Sequence, residues 1–475
     1  MEARTFRQLQ SLLAAEVQRG RVIDTEARLF RTFAEHSQQA DRASFQRWLI
    51  AAELQLHLRR LDFGGLVLLR PDLLEQIALR LVKSATQDPE GGGCLPLRDL
   101  DRPLEGFLDA IEPRHRNLLG LSSALHLLRE DRALYLDDKG LPRLIVPDRV
   151  TRSAPDAPDP VGLSRVGFEG PALRIFSALV VRLSLSGVFT LRSLWRHGAS
   201  WDASTGGLCQ IALRGGDLES GALRLSFDGA AGRQTRRYFE DALMSHLHRV
   251  ARSARRACGF VCAGCQTPVA PLQVDRRLAR GFDALSCCVC DTRVSLLDPL
   301  DPLPGDAPSI ASELDRAAEG RKARHIAALK LMGKRQVGDY DVLLVHLPSD
   351  RPAVLKVGEW LEEQGLLPWI DAWQGRTPLQ GGVLDPRLDT IKAAAVVIGK
   401  DSSGPWEDPA TDELLQILHQ RRIPLIPVAL PPCELLPYMP EFLDPEDLVD
   451  FRLQSPDPML ALIASVNGSP SDTLT

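Results

Sequence analysis

Two pairs of cysteines, each with two residues between them, constrain the fold of the middle of this chain more than any other feature. Cys262 and Cys265 form the first pair, and Cys287 and Cys290 form the second pair after twenty-one intervening residues. A tetrahedral zinc ion takes four thiolates at about 2.3 Å, and each such turn presents two thiolates to one ion. The spacing therefore predicts a structural zinc site on Cys262, Cys265, Cys287 and Cys290.

Four thiolates fill the coordination sphere of zinc and leave no position for a reacting water. We therefore expect the metal to stabilise a module at 258–298 that is too small for a large hydrophobic core. The residues after each pair are similar, Gln266-Thr267-Pro268-Val269 and Asp291-Thr292-Arg293-Val294, so the segment resembles a zinc ribbon. Cys258 and Cys288 lack the paired spacing, and we expect both to stay outside the site.

The length of the chain indicates several domains. Its 475 residues suggest about three or four domains. The net charge of −5 argues against a protein that binds a polyanion over its whole surface. The longest apolar run, 175–181, is far shorter than the about 18 residues of a membrane helix. The N-terminus also lacks the apolar stretch of a secretory signal. We therefore expect a cytoplasmic protein without membrane contact, whose cysteines form no disulfides.

Helical patterns precede a strand pair in the N-terminal part of the chain. Residues 1–60 have apolar side chains at helical spacing, which predicts a helical leader. Residues 61–150 combine helical stretches with two strand-like runs, 133–136 and 144–146, around a turn-forming segment. Helices that end in a hairpin predict a winged-helix-like domain. Its helices carry few arginines, so we expect no DNA contact there.

A small α+β domain is predicted at 163–257, after a proline-containing connector at 151–162. Its predicted elements are a helix, two strands and a second helix, at 171–186, 208–213, 223–227 and 234–256. The second helix carries six arginines. These could meet nucleic acid, but a solvated helical face is the interpretation that we prefer.

Continuous apolar runs alternate with amphipathic helices in the C-terminal part of the chain. Strands buried on both faces need unbroken apolar runs, and crossover helices join parallel neighbours. The strand-like runs lie at 340–347, 366–370, 394–398, 425–430 and 448–451. The helical segments lie at 353–364, 385–393, 411–420 and 458–466. The pattern predicts a doubly wound α/β domain with a five-stranded parallel sheet.

Five short segments follow one another in this region. They are YDVLLVHLPSDR, GLLPWIDAWQG, AAVVIGKDSSGPW followed by DELLQIL, RRIPLIPVALP and LVDFRLQSPDP. In this order they resemble the boxes of a bacterial TIR (Toll/interleukin receptor) domain over roughly 338–468. The resemblance implies a flavodoxin-like α/β fold. The upstream winged-helix-like and zinc-ribbon region resembles the segment that precedes TIR and other effector domains in bacterial defence proteins.

Many TIR domains of bacterial type cleave NAD at the nicotinamide–ribose bond, and the resemblance implies that NAD is a substrate here. Cleavage develops oxocarbenium character on the ribose, so a carboxylate that holds the ribose hydroxyls and stabilises positive charge can supply much of the catalysis. The position that matches the family glutamate is Glu413. The aromatic companions that the resemblance implies in the substrate pocket are Trp373 and Trp406.

The spacing around Glu413 departs from the family pattern. Glu413 lies seven residues after Trp406, further along than the family glutamate, as if Asp408-Pro409-Ala410 were inserted. Glu407 and Asp412 therefore stay open as alternative carboxylates. Glu413 is preferred because the acidic-apolar pattern of 412–415 matches the start of the family helix, with Thr411 as a reasonable cap.

Three functions stay open. The first is NAD hydrolysis on self-association of TIR domains through the loop at 373–386, with the N-terminal parts binding a trigger that the sequence does not identify. The second is a non-catalytic TIR scaffold for signalling, and the third is a nucleic-acid-binding regulator. The chain has no GxxxxGK[ST] sequence, so we expect no nucleotide-driven switch within it.

Overall fold

The computed structural model describes residues 2–36, 41–138, 140–155, 162–216, 219–257, 284–295, 310–400, 404–431, 433–453 and 457–468, with single positions at 262, 264, 265, 267, 269, 273, 277, 282 and 455. The chain divides into two units. The first comprises Met1–Asp72 with Arg324–Thr475, and the second comprises Leu73–Ala323. Within the described residues, no helix has the length and apolar character needed to cross a membrane. Cys258 lies outside the described residues.

Three helices and a small antiparallel sheet begin the first unit. The elements are α1 (Glu2–Gln18), β1 (Ile23–Thr25), α2 (Glu26–His36), α3 (Arg42–Leu54), β2 (Arg59–Arg60) and β3 (Leu66–Leu68). Leucine and phenylalanine side chains from all three helices share one core with β3. Both β1 and β2 pair with β3, so this sheet crosses the expected domain boundary at residue 60.

The second unit begins within a helix and continues into a three-stranded sheet. Its first elements are α4 (Asp72–Ala85), β4 (Cys94–Pro96), α5 (Pro113–Arg129), β5 (Leu134–Asp138) and β6 (Leu141–Ile145). The strands β5 and β6 form an antiparallel hairpin, and β4 pairs with the other edge of β6. The strand pair predicted from the turn-forming residues is therefore confirmed.

A six-stranded antiparallel sheet with two helices follows. The elements are β7 (Gly162–Glu169), α6 (Ala172–Leu185), β8 (Phe189–Trp195), β9 (Gly198–Ala203), β10 (Leu208–Gly216), β11 (Ser220–Phe227), α7 (Arg233–Val250) and β12 (Ser253–Ala257). The strand order is β12-β7-β11-β10-β9-β8. Apolar side chains of α6 and α7 pack with those of the sheet in one core.

The prediction of a helix to residue 256 was wrong. The helix α7 ends at Val250, and Ser253–Ala257 pairs with the edge of β7 instead. Arg252 donates its backbone N–H to Glu169 O over 2.9 Å, which starts this pairing. A free strand edge offers unpaired backbone groups, and this tertiary pairing outweighs the helical pattern of the sequence.

The C-terminal part of the chain forms a five-stranded parallel sheet in the first unit. After the hairpin of β13 (Ala284–Ser286) and β14 (Arg293–Ser295), helix α8 (Ile310–Val337) has residues in both units. The sheet strands are β15 (Val342–Val345), β16 (Pro368–Trp369), β19 (Ala393–Ile398), β20 (Leu425–Ala429) and β21 (Val449–Asp450). Their order is β16-β15-β19-β20-β21, with every pairing parallel. The predicted five-stranded parallel sheet is confirmed.

Helices cover both faces of this sheet. They are α9 (Arg351–Glu363), the single turn α10 (Asp371–Gln374), α11 (Pro409–Gln420) and α12 (Pro458–Val466). Alternate residues of β15 face opposite ways: Val342 belongs to a core with α9 and α12, whereas Leu343 belongs to a core with α11. This two-sided burial is the reason that the strands appear in the sequence as unbroken apolar runs.

The connection from β16 to β19 contains no long helix among the described residues. The short hairpin of β17 (Leu379–Gln380) and β18 (Val383–Leu384) leads to a single 3₁₀ turn at Pro386–Leu388. The prediction of a helix at 385–393 was therefore wrong. Asp385 accepts a hydrogen bond from the backbone of Arg387 and caps only this turn, and Ala393 already belongs to β19.

Candidate functional site

A cavity of about 360 Å³ opens at the carboxyl end of the parallel sheet. Its walls are the end of β15, the loop after β16, the β17–β18 hairpin and the first turns of α11. In open α/β sheets the carboxyl ends of the strands are the usual place for a ligand, because the loops there diverge and leave a crevice. The volume also lies in the range of about 300–1,000 Å³ that is typical of small-molecule sites.

Glu413 lines this cavity from the second turn of α11. Its side chain is exposed, and Gly382 of the hairpin lies opposite. A Cβ atom added to Gly382 would lie 3.4 Å from Glu413 Oε1, and the φ of Gly382 is +76°. Glycine adopts such a φ without strain, and it lets the hairpin backbone approach the carboxylate closely.

The start of α11 explains the unusual spacing before Glu413. Asp408 is the N-cap, and its carboxylate accepts hydrogen bonds from the backbone N–H of Thr411 at 2.9 Å and from the Thr411 hydroxyl at 2.7 Å. Pro409 occupies the first helical position, where its missing N–H costs nothing. Asp408, and not Thr411 as the sequence suggested, therefore caps the helix, and Glu413 follows in the second turn.

A histidine and a second carboxylate lie at another wall of the cavity. His346 follows β15, and its Nε2 lies 3.5 Å from Asp371 Oδ1. Its Nδ1 lies 3.2 Å from Leu344 O, to which it can donate a hydrogen bond. Arg351 donates from Nη2 to Asp371 Oδ2 over 3.2 Å. The charge of Asp371 is thus already shared with a guanidinium group.

Trp369 forms an apolar wall of the cavity and is itself fully buried. The Arg387 guanidinium stacks 4.4 Å from the centre of its ring, and the Tyr340 ring meets it edge-on at 4.9 Å. Its indole Nε1 has no hydrogen-bond partner among the described residues. The site therefore has an aromatic wall whose ring is held between Arg387 and Tyr340.

The two tryptophans that the resemblance implied for the substrate pocket, Trp373 and Trp406, do not line this cavity among the described residues. Trp373 is 38% exposed and borders a different cavity of about 330 Å³ beside Tyr340. Trp406 is half-buried and packs against the apolar core that α11 shares with the sheet. Neither belongs to the described residues that line the cavity with Glu413.

The alternative carboxylates also lie outside the described lining of this cavity. Asp412 accepts a hydrogen bond from Gln416 Nε2 over 2.6 Å along the surface of α11, and Glu407 is exposed in the turn before the helix. The sequence singled out Glu413 but indicated no functional role for Asp371 or Gly382. The only available signal was that Asp371 and His346 each follow an apolar run, where parallel strands end at one edge of the sheet.

The four paired cysteines form a separate cluster in the second unit. The sulfur atoms of Cys262, Cys265, Cys287 and Cys290 all lie within 4.8 Å of one another. Sγ of Cys262 lies 3.3 Å from that of Cys290, and Sγ of Cys265 lies 3.5 Å from that of Cys287. Tetrahedral zinc with thiolates at about 2.3 Å needs sulfur separations of about 3.8 Å. Four cysteines this close together could hold a metal ion such as zinc.

Each cysteine pair sits in a turn of the same design. Cys262 donates its backbone N–H to Thr267 O at 3.0 Å, and Cys287 does the same to Thr292 O at 2.9 Å. The Thr292 hydroxyl lies 3.1 Å from Cys290 Sγ. This hydrogen bond, with others to the neighbouring sulfurs, lowers the pKa of Cys290 to about 6 and so favours the thiolate that binds metal.

Comparison of the chain with protein-family models and with curated proteins found no match.

Proposed function

We propose that residues 338–468 form a TIR domain that hydrolyses the nicotinamide–ribose bond of NAD, with Glu413 as the catalytic carboxylate. The order of the parallel strands supports this proposal. Numbered along the domain it is 2-1-3-4-5, which is the order of flavodoxin-like sheets. The five segments that resemble TIR boxes fall on or directly beside these strands.

The position of Glu413 is the observation that carries the proposal. Three carboxylates line the cavity, and two of them have partners: Asp408 caps α11, and Asp371 pairs with Arg351. Among the described residues, no hydrogen-bond donor or cation pairs with Glu413. Its oxygens are therefore available to the hydroxyls of a ribose.

The chemistry requires little more than this carboxylate and a sheltered pocket. As the bond to nicotinamide lengthens, positive charge develops on the ribose, and a carboxylate close to the ring stabilises that charge more than it stabilises the substrate. Trp369 offers an apolar surface to the flat nicotinamide or to the sugar. Water then adds to the ribose carbon, the proton of that water is released to solvent, and nicotinamide and ADP-ribose are the products.

The remaining parts of the chain complete the proposal. The winged-helix-like region and the cysteine module, a zinc ribbon with a structural zinc ion, would bind the trigger, and self-association of TIR domains would turn the enzyme on. The protein would then be a cytoplasmic effector of bacterial defence or signalling. The resemblance to bacterial TIR effector proteins supports these roles.

NAD consumption by the full chain tests the proposal. The assay compares the wild type with Glu413→Gln, which keeps the shape of the side chain and removes its charge. Asp412→Asn is the matched control, because Asp412 is adjacent on α11 but points to Gln416. We expect turnover in the wild type and the control and a large loss in Glu413→Gln. Turnover that survives in Glu413→Gln would refute the role of Glu413.

An exposed apolar loop favours the scaffold as a second function. Leu435 is 75% exposed and Tyr438 is 89% exposed, in the segment that follows β20. Large apolar side chains that face water close together mark a surface for protein contact. If the chain does not consume NAD even when it is crowded on a surface, and if Tyr438→Ser abolishes its self-association, the scaffold function is supported.

A further inference from the structure

A second cavity, of about 550 Å³, lies in the second unit between α6 and α7. One face of α6 supplies Ile175 and Arg182, and the last turns of α7 supply His246, Arg249 and Val250. The walls thus combine apolar side chains with charged ones. No part of the proposed NAD chemistry uses this cavity.

His246 is the unusual group in this cavity. Its side chain belongs to a residue that is only 3% exposed, and neither ring nitrogen has a hydrogen-bond partner among the described residues. Burial, helped by the nearby charges of Arg249 and Arg182, lowers the pKa of His246 to about 4, while Asp131 acts in the opposite direction. Burying a neutral imidazole whose two nitrogens lack partners costs free energy. His246 belongs to the cavity lining, so a ligand there could supply the missing partner.

Arg182 also lines this cavity, and one of its guanidinium nitrogens has no hydrogen-bond partner among the described residues. It donates to Asp131 Oδ2 from Nε at 3.2 Å, and its Nη2 lies 2.5 Å from Glu319 Oε1. Its Nη1 is buried and has no hydrogen bond among the described residues, and its distance to Asp315 Oδ1 is 3.9 Å. This leaves one guanidinium nitrogen without an acceptor.

The other charges of the cavity are arranged around these two groups. Arg249 pairs with Asp315 at 3.1 Å, and Arg174 pairs with Glu130 at 2.7 Å. Asp315 is on α8 and, like Glu319, is not among the described residues that line the cavity. Lys322 Nζ also binds Asp131, at 2.7 Å, so each arginine of the lining has a carboxylate partner and the charges balance. The hydrogen-bonding capacity that the described residues leave unused lies in Arg182 Nη1 and in the His246 imidazole, and a cationic donor without an acceptor suits an anionic group.

We propose that this cavity is a binding site for a small organic anion. The carboxylate or phosphate group of the ligand accepts hydrogen bonds from Arg182 Nη1 and from His246, and the charge of Arg249 attracts it. Its apolar part lies against Ile175 and Val250. Since the anion favours the charged imidazole, His246 takes up a proton when the ligand binds at mildly acidic pH.

Isothermal titration calorimetry on the full chain tests this site with two probes, benzoate and inorganic phosphate. We expect at least one probe to bind the wild type, and binding to weaken about tenfold or more in His246→Leu and in Arg249→Ala. Arg237→Ala is the matched control, because Arg237 is on the same helix, pairs with Asp241 and lies outside the described lining of the cavity. This control should bind like the wild type. Binding of benzoate identifies a carboxylate site, and binding of phosphate alone identifies a phosphate site.

The unfolding temperature of the ligand-free protein shows whether His246 serves ligand binding or the stability of the fold. His246→Leu removes two unpaired nitrogens at similar volume, so we expect it to raise the unfolding temperature while it weakens binding. Arg249→Ala changes a half-exposed residue and keeps the test valid if His246→Leu does not fold. The site is refuted if neither probe binds the wild type, or if both variants bind the probes as well as the wild type does.

Discussion

Acidification should weaken the second unit through His246. The folded protein holds the pKa of this imidazole at about 4, against an ordinary value of 6.5, because the side chain is buried beside Arg249 and Arg182. An unfolded chain takes up a proton at this histidine near pH 6.5, whereas the folded chain does so only near pH 4. The unfolded state therefore binds more protons between these values, and the free energy of unfolding falls as the pH drops through this window.

The size of this effect follows from the gap between the two pKa values. At about 1.4 kcal/mol for each tenfold change in proton affinity, the loss on acidification to about pH 4 is about 3 kcal/mol. Urea unfolding of the full chain at about pH 7 and about pH 4 measures it. His246→Leu should lose about 3 kcal/mol less than the wild type, because leucine does not titrate.

His248→Leu is the matched control for this experiment. His248 lies on the same helix but is exposed, so its removal should leave the pH dependence of the wild type unchanged. Other groups that titrate in the acid range contribute equally to all three proteins and cancel in the comparison. If the wild type and His246→Leu lose the same stability on acidification, His246 is not a buried neutral imidazole and the reasoning fails.

Three further outcomes are expected. Cys265→Ser should reduce bound zinc from about one ion per chain to nearly none in atomic emission measurements, whereas Cys288→Ser should keep it; equal zinc in both would contradict the four-cysteine site. Gly382→Ala should slow NAD cleavage about tenfold or more. The added methyl group would lie 3.4 Å from Glu413 Oε1 and would occupy space beside the proposed catalytic carboxylate. Gly381→Ala should slow cleavage much less, since it shares a positive φ but has no atom within 4 Å of its new Cβ among the described residues. Trp373→Ala should leave the KM for NAD within about twofold of the wild type, because Trp373 borders another cavity; a large rise would restore the role suggested by the sequence.

The parallel sheet was predictable because of where its strands lie. Each strand is covered on both faces, so a run such as Ala393–Ile398 is wholly buried and leaves an unbroken apolar signal. The antiparallel sheet of the second unit leaves this signal only in part: the strands predicted at 208–213 and 223–227 are confirmed within β10 and β11, and the other four strands of the sheet were not predicted. The strand Phe189–Trp195 mixes buried and exposed side chains, and Ser253–Ala257 carries arginines that continue the pattern of α7. This last segment is a strand because it pairs with the edge of β7, and that contact cannot be inferred from the local sequence.

The candidate sites were predictable to different extents, depending on whether their residues are close in the sequence. Cys262 and Cys265 are close in sequence, so their spacing alone indicates a metal site. The cavity beside Glu413 is formed instead by loops that are far apart in the sequence. No local sequence pattern indicates that Gly382 lies close to α11. His246 gave no signal either, since a single histidine in a helix has no distinctive spacing. Its significance comes from burial and from the absence of a described partner, which are tertiary properties.

The rate of nicotinamide release at saturating NAD is the most direct test of the proposed role of Glu413. The measurement compares the wild type, Glu413→Gln and Asp412→Asn, with kcat and KM determined separately. A carboxylate that stabilises the charged transition state should affect kcat, so we expect Glu413→Gln to lower kcat about a hundredfold or more with a KM change of a few fold at most. Asp412→Asn should match the wild type. A kcat for Glu413→Gln equal to that of the wild type would contradict the assignment of Glu413 as the catalytic residue.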